Sequence, residues 1–455
     1  MSANWIDSLI DTVTGVLSPN GPAVAAKIES YTNNDLSIHF FLQLVFILAA
    51  CRLVGWLAQK YLAQPQVVGE MIAGVLLGPS LFGLLAPELQ AVIFPPASKS
   101  ILYVGAQLGV GLYMFLVGTT LQLGHFKTKG RSAISVSLAG ILVPFAMAAL
   151  ITPHLLKVPG LFADGISTSN ATLFMGACIA LTAFPMLARI ITERGLANTS
   201  LGTLTLTAGA FDDVCSWCVL AIVLATFGGG AGVAILAIGG GMIYAIFILL
   251  FGAKILATLG KMVERDGEMS MTVLALTLMA FAMSAFLMDA IGIHAIFGGF
   301  IIGAVMPRGL FVTELKKKVE PLAVVLLLPM FFTYSGLNTR MDMVNTVSLL
   351  LIALGILAVS IFAKFAACYG AARLAGEDNR TALGIGALMN SRGLMELIII
   401  NIGLQKGIIG PTLFSMMVLM AIVTTMMAGP LFEAVYGKKA RESGELAAID
   451  PKATG

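Results

Sequence analysis

The sequence predicts an all-α membrane protein of about thirteen transmembrane helices, arranged as an inverted repeat with two broken helices. Three observations predict it. The 455 residues are 58% hydrophobic and 11% charged, with a mean hydropathy of +0.95, against the ~25% charged usage of soluble domains. Apolar windows of the ~20 residues that cross ~30 Å of hydrocarbon recur along the chain. Two pairs of short motifs repeat at a constant offset of seven spans.

In chain order the windows fall at about 39–58, 66–86, 100–121, 132–155, 171–192, 200–227, 230–258, 270–289, 292–306, 321–338, 347–374, 381–404 and 409–435. They make residues 39–436 a single transmembrane domain, between an extracytoplasmic leader (1–38) and a short polar tail (437–455). In the leader, Trp5, Ile6, Leu9, Ile10, Val13, Val16 and Leu17 share one helical face. That face suits a helix lying on the membrane surface, or a packed or solvated leader. Asp7 and Asp11, with no basic n-region, exclude a signal peptide.

Lys and Arg set the orientation. Lys127, Lys129 and Arg131 follow the third span, Arg189 and Arg194 the fifth, Lys261 and Arg265 the seventh, Arg308 and Lys316 to Lys318 the ninth, Arg373 and Arg380 the eleventh, and Lys438, Lys439 and Arg441 the last. The alternate loops carry only Lys99, Lys157, Arg340 and Lys406. The N-terminus is therefore expected outside and the C-terminus in the cytoplasm. The net charge of +3 is scattered, which excludes a nucleic-acid partner. Cys215 and Cys218 stand at i,i+3 on an apolar segment and read as small packing residues, and the other cysteines also lie in or beside apolar segments.

The repeat matches "AGVLLGP" at 73–79 with "GGFIIGA" at 298–304, and "MFLVGTTLQ" at 114–122 with "MFFTYSGLN" at 330–338. Seven is odd, so the second copy crosses the membrane in the opposite direction. In such repeats interrupted helices in corresponding positions mark the site. The fifth span carries Thr182-Ala-Phe-Pro185 at its middle, and the twelfth carries Asn390-Ser391-Arg392-Gly393. Either alone reads as a simple kink; as a pair they favour two broken helices whose ends meet at the bilayer centre, each end carrying about half a charge. Unwound backbone is tolerated at that depth only where it is buried in protein or faces water.

Asp212 and Asp213 lie at the centre of the sixth span. An ionised Asp there costs on the order of 3 kcal/mol, so a compensating role is expected. Neighbours on a helix diverge by about 100°, so one acid can face a water-filled cavity while the other meets a partner. Lys364, deep in the eleventh span, is the base available to them. Arg392 and Glu396, at i,i+4, pair with each other or with Glu70 on the second span, as a bracing ion pair. A carboxylate at the end of a water path binds either a proton or a dehydrated monovalent cation, and competition between the two is an exchange mechanism. Of the four histidines, His125 and His154 lie in loops and His294 is isolated near a span end, and no metal-ligand, phosphate-loop or nucleophile motif occurs. No cofactor and no enzymatic chemistry are therefore expected. An aspartyl protease needs facing carboxylates, which adjacent residues of one helix do not provide. Retention of both acids and the lysine weighs against a channel or transport-dead sensor, which stays open as a third reading.

"VVGEMIAGVLLGPSLFG", "LTAFPMLARIITERG", "AFDDV", "GIHAIFGGFIIG" and "SRGLMELI" resemble the monovalent cation:proton antiporter-2 family over most of residues 60–435. The resemblance implies the sodium/proton antiporter fold, a homodimer built on a panel of helices, and a six-helix core that moves in an elevator-like cycle. It makes Asp213 the carboxylate that binds the cation and the proton, Asp212 the lysine-paired acid, Lys364 that lysine, and Thr182 with its backbone the unwound crossing, beside Pro185. Asn390, Ser391, Arg392, Glu396 and Glu70 are the supporting set. Many potassium-efflux relatives have a polar neutral residue before the Asp and a cytoplasmic nucleotide-binding domain. Asp212, and a sequence without that domain, favour Na+/H+ exchange serving pH homeostasis in a bacterial inner membrane, with K+/H+ exchange as the alternative. Because one carboxylate would suffice for one-for-one exchange, the presence of Asp212, Asp213 and Lys364 together points to two protons per cation, an electrogenic cycle.

Overall fold

Hydrocarbon leaves no water for backbone groups, so each apolar window must close its hydrogen bonds within itself as a helix. The computed structural model describes residues 32–437 apart from 63, 65, 121–125, 194–195, 197–198, 228–230 and 292–293, and residue 442. For residues 120, 126–130, 185–186, 189, 192–193, 213–214, 216–218, 220–221, 223–227, 231–238 and 394–395 it describes the backbone alone. The leader face at 5–17 and nearly all of the tail lie outside the described residues.

Nineteen helices follow in order: α1 (Asn33–Leu62), α2 (Gln66–Leu77), α3 (Phe82–Leu85), α4 (Pro87–Ile93), α5 (Lys99–Thr120), α6 (Phe126–Leu155), α7 (Thr168–Ala180), α8 (Phe184–Glu193), α9 (Ser200–Phe227) and α10 (Ala231–Phe247). Then come α11 (Ala253–Asp266), α12 (Met271–Ala290), α13 (Ala295–Ala304), α14 (Leu310–Leu322), α15 (Leu328–Leu337), α16 (Val347–Leu374), α17 (Asn379–Met389), α18 (Leu394–Gln405) and α19 (Pro411–Phe432). π-Helical turns join α10 to α11 at Ile248–Gly252 and α14 to α15 at Ala323–Leu327. Every predicted window contains helix among its described residues, and the first helix begins at Asn33, before its window. Among the described residues nine helical segments are long and apolar enough to cross a membrane. The fifth and twelfth spans each divide into two half-helices too short to cross alone.

Contacts divide the chain into two units, 1–113 with 317–343, and 114–316 with 344–455, the boundaries falling inside α5 and α14. In the first unit α2 packs on α1 and on α15. Gln43, fully buried on α1, donates from Nε2 to Ile93 O (2.8 Å) and Ser98 Oγ (2.6 Å), tying α1 to the chain after α4. In the second unit four continuous helices, α6, α9, α16 and α19, surround the two broken pairs α7/α8 and α17/α18. Small residues make this closeness possible: five of the nine buried residues of α16 are Ala353, Ala363, Ala367, Ala371 and Ala372. The chain before α7 also meets the chain after α18, through an antiparallel bridge of Phe162 with Ile409. There Ala163 N donates to Ile408 O (3.2 Å) and Gly410 N to Leu161 O (2.8 Å).

The repeat is visible in the packing of each unit. A Cβ on Gly74 would overlap Phe332 O, and one on Gly336 would overlap Gly74 O, both in the first unit. In the second unit a Cβ on Gly118 would overlap Phe300 O, and one on Gly303 would overlap Phe115 O. Each first-copy motif therefore packs on the second copy of the other motif, as two-fold-related repeats require. The obstacle at Gly336 is backbone, which cannot rotate away. Gly336→Leu is expected to cost about 3 kcal/mol or more of stability, read as a lowered unfolding midpoint in detergent. Gly370→Leu, where open space surrounds the missing Cβ, is expected to leave the midpoint unchanged.

Candidate functional site

Pro185 has no N–H to offer the carbonyl four residues back, so the helical ladder cannot run through Leu181. Helix α7 accordingly stops at Ala180, Leu181 is extended (φ −65°, ψ 139°), and α8 restarts with Pro185 in its first turn, where proline is tolerated. The second break runs from Asn390 to Gly393, between α17 and α18. The two breaks bond to each other. Ala183 N donates to Ser391 O (2.9 Å), and Thr182 Oγ1 donates to Met389 O, the end of α17 (2.8 Å).

The last carbonyls of a helix have no helical donor. At the end of α7 two cations from the second repeat supply the missing donors. Arg392 donates to Cys178 O (2.8 Å) and to Ile179 O, and Lys364 Nζ donates to Ala180 O. Lys364 also reaches both oxygens of Asp212, Oδ1 at 3.1 Å and Oδ2 at 3.0 Å. Both partners are fully buried. The three N–H bonds of the ammonium thus meet three acceptors.

Asp212 is equally occupied. Oδ2 accepts from Thr182 N (3.1 Å) and Oδ1 from Ser137 Oγ (3.4 Å), besides the lysine. A carboxylate so engaged is a fixed counter-charge. Asp213 follows it on α9, and its side chain lies outside the described ones.

Of the two pairings open to Arg392 and Glu396, the structure has them with each other, Nη1 to Oε1 at 3.1 Å. Glu70 is buried in the first unit, where Gln66 Nε2 donates to it (2.9 Å). Asn390 Nδ2 donates to Ile361 O (3.0 Å) on α16. His154 lies beside Leu150 O, and His294 caps the start of α13. No group of three metal-binding side chains exists among the described residues.

Sequence reasoning missed Ser137 and Gly140 on α6. Ser137 donates to Asp212, and a Cβ on Gly140 would stand 2.8 Å from Cys368 Sγ and 3.2 Å from Lys364 Nζ. The absence of a side chain there makes room for the ammonium. A serine and a glycine three apart on one face of the fourth span were the available signal.

An inverted repeat whose two broken helices cross beside a buried lysine–aspartate pair defines a secondary transporter. The chain belongs to the sodium/hydrogen exchanger family, whose transmembrane model matches residues 44–436, in agreement with the resemblance read from the sequence. It is similar to the Na(+)/H(+) antiporter NhaS4 of Synechocystis, at 37% identity over 86% of this chain and 96% of that one. It is also similar to the K(+)/H(+) antiporter 1 of Saccharomyces cerevisiae, at 30% identity over 95% of this chain, which spans about half of that longer protein (50%). The fold is that of the sodium proton antiporter MjNhaP1 from Methanocaldococcus jannaschii, with a TM-score of 0.64 at 16% identity, covering 91% of this chain and 99% of that one.

Removing one partner of a buried ion pair leaves an uncompensated charge, at a cost of about 3–5 kcal/mol. Lys364→Met is expected to lower the unfolding midpoint of the purified protein strongly. Adding Asp212→Asn to Lys364→Met is expected to recover most of that loss, because no lone charge remains. A double variant no more stable than the single one would show that the pair carries no such charge balance.

Proposed function

We propose that this protein is a secondary transporter that exchanges Na+ for H+ by alternating access. The observation that carries the reading is the Lys364–Asp212 pair at the end of α7, directly before Asp213 in the chain. With Asp212 fully engaged, Asp213 is the carboxylate left to bind the transported cation and, alternately, a proton. Thr182 has its hydroxyl proton on Met389 O, so it serves the ion through its lone pairs or by holding the two breaks together. Arg392 and Glu396 brace the second break. The same reading makes the protein a homodimer in a cell membrane of bacterial inner-membrane type, with the N-terminus outside and the basic loops in the cytoplasm. Likeness to a K+/H+ antiporter makes K+ the second cation to test.

Proteoliposomes carrying a pH-sensitive dye test the reading: Na+ or Li+ added outside is expected to drive proton movement. Asp213→Asn is expected to give folded protein with no cation-driven flux, and normal exchange by that variant would remove Asp213 from its role. A larger response to K+ than to Na+ would replace the Na+ reading with the K+ one.

Charge movement follows from the pair. Cation binding at Asp213 competes for Asp212 and leaves the buried lysine without its counter-charge, so Lys364 gives up its proton as Asp213 gives up its own. Two protons then cross for one cation. Under a Na+ gradient with no imposed voltage, a solid-supported membrane is expected to register net charge transfer. Full-rate exchange with no such signal, unaffected by clamping the voltage, would set the ratio at one for one and leave Lys364 a structural role.

A further inference from the structure

The two breaks differ in how their polar groups are used. At the first, the backbone N–H and the hydroxyl of Thr182 are both bonded within the protein. At the second, four buried atoms have no partner among the described residues: Asn390 Oδ1, Ser391 Oγ, Arg392 Nε and Glu396 Oε2. Buried polar atoms are almost always satisfied, by protein or by ordered water.

Three of these side chains are held by their other polar atoms, so the orphaned atoms have fixed places. Asn390 is anchored on Ile361 O (3.0 Å), Arg392 on Ser360 O (3.2 Å), and Glu396 on Arg392 (3.1 Å). The four orphans are of mixed character. Arg392 Nε–H donates, Asn390 Oδ1 and Glu396 Oε2 accept, and the Ser391 hydroxyl does both. A cation would serve the acceptors and meet the guanidinium, while an anion would serve Nε and meet the carboxylate. Water serves donors and acceptors alike.

The position of this set gives it a use. Ser360 and Ile361 lie within one turn of Lys364 on α16. Arg392 and Lys364 also hold consecutive carbonyls at the end of α7. We propose that the second break is a hydrated proton relay, in which water held by Asn390, Ser391, Arg392 and Glu396 takes the proton released by Lys364 and passes one to the Glu396 carboxylate. This rests on the exchange reading above and adds a route to it. An Nζ–H bond breaks with its electron pair staying on nitrogen, an O–H bond forms on water, and a proton of that water passes to Oε2. No electron is transferred. The first repeat thereby handles the cation and one proton, and the second handles the other proton. Around Glu396, α7 contributes Cys178 as its ionisable group, α19 contributes none, and Arg392 is the charge in contact.

Glu396→Gln, which keeps an acceptor for Arg392, is expected to slow Na+-driven proton flux in proteoliposomes by about tenfold or more, with the apparent Na+ affinity unchanged. Glu396→Asp is expected to restore part of the rate. Ser391→Ala removes one orphaned hydroxyl without touching the ion pair and is expected to slow flux likewise, so the test survives a Glu396 variant that fails to fold. A merely bracing role would lower the amount of folded protein and leave the rate per folded molecule unchanged. Wild-type rates in both Glu396→Gln and Ser391→Ala across the pH range would overturn the relay while exchange stands. An absence of cation-driven flux in the wild-type protein would overturn exchange and the relay with it.

Discussion

A helix that stops in the middle of a membrane protein exposes carbonyls that nothing nearby is obliged to satisfy, and the core of this protein is organised around one such end. Cys178, Ile179 and Ala180 present their oxygens at the close of α7, and the donors come from Arg392 and Lys364. Each cation brings its own acid, Glu396 and Asp212. The half-charge of the helix end, two cations and two carboxylates form one balanced cluster, so no member can change its charge without the others responding.

The cluster depends on what is missing as much as on what is present. Gly140 leaves space for the lysine, and the buried alanines of α16 let the backbones approach. The same economy governs the repeat, where Gly74, Gly336, Gly118 and Gly303 bring backbones together at matched crossings. Lipid offers no hydrophobic drive between helices, so close contact of small residues is what holds such crossings.

Much of this was legible in the sequence because each signal was local. Apolar run length marked the spans, and Thr182 to Pro185 and Asn390 to Gly393 marked the breaks, since either interruption alone reads as a kink but two at matched positions of a repeat favour broken helices. Lys364 was legible as a buried base needing an acid, although adjacency alone left open which aspartate it would meet. The remainder depends on contacts between distant segments. Ser137 and Gly140 are ordinary residues of an apolar helix until α16 is laid against them. Arg392 had two acids within reach on paper, and the structure settled on the one in its own turn. The π-helical turns at Ile248–Gly252 and Ala323–Leu327 left no mark in composition, because they alter hydrogen-bond register without altering residue type.

The bridge between Phe162 and Ile409 closes a circuit. Helices α7 and α18 are joined at the crossing through Ala183 and Ser391 and again at their far ends through Leu161 and Gly410. Two rods pinned at both ends form a truss, and a truss turns as one piece instead of shearing. The far pin joins loops of unequal length, 156–167 and 406–410. An inserted residue in either would pull one pin out of register with the other. Among relatives the two loops should therefore lengthen or shorten in concert, a covariation imposed by mechanics on residues far from any charge.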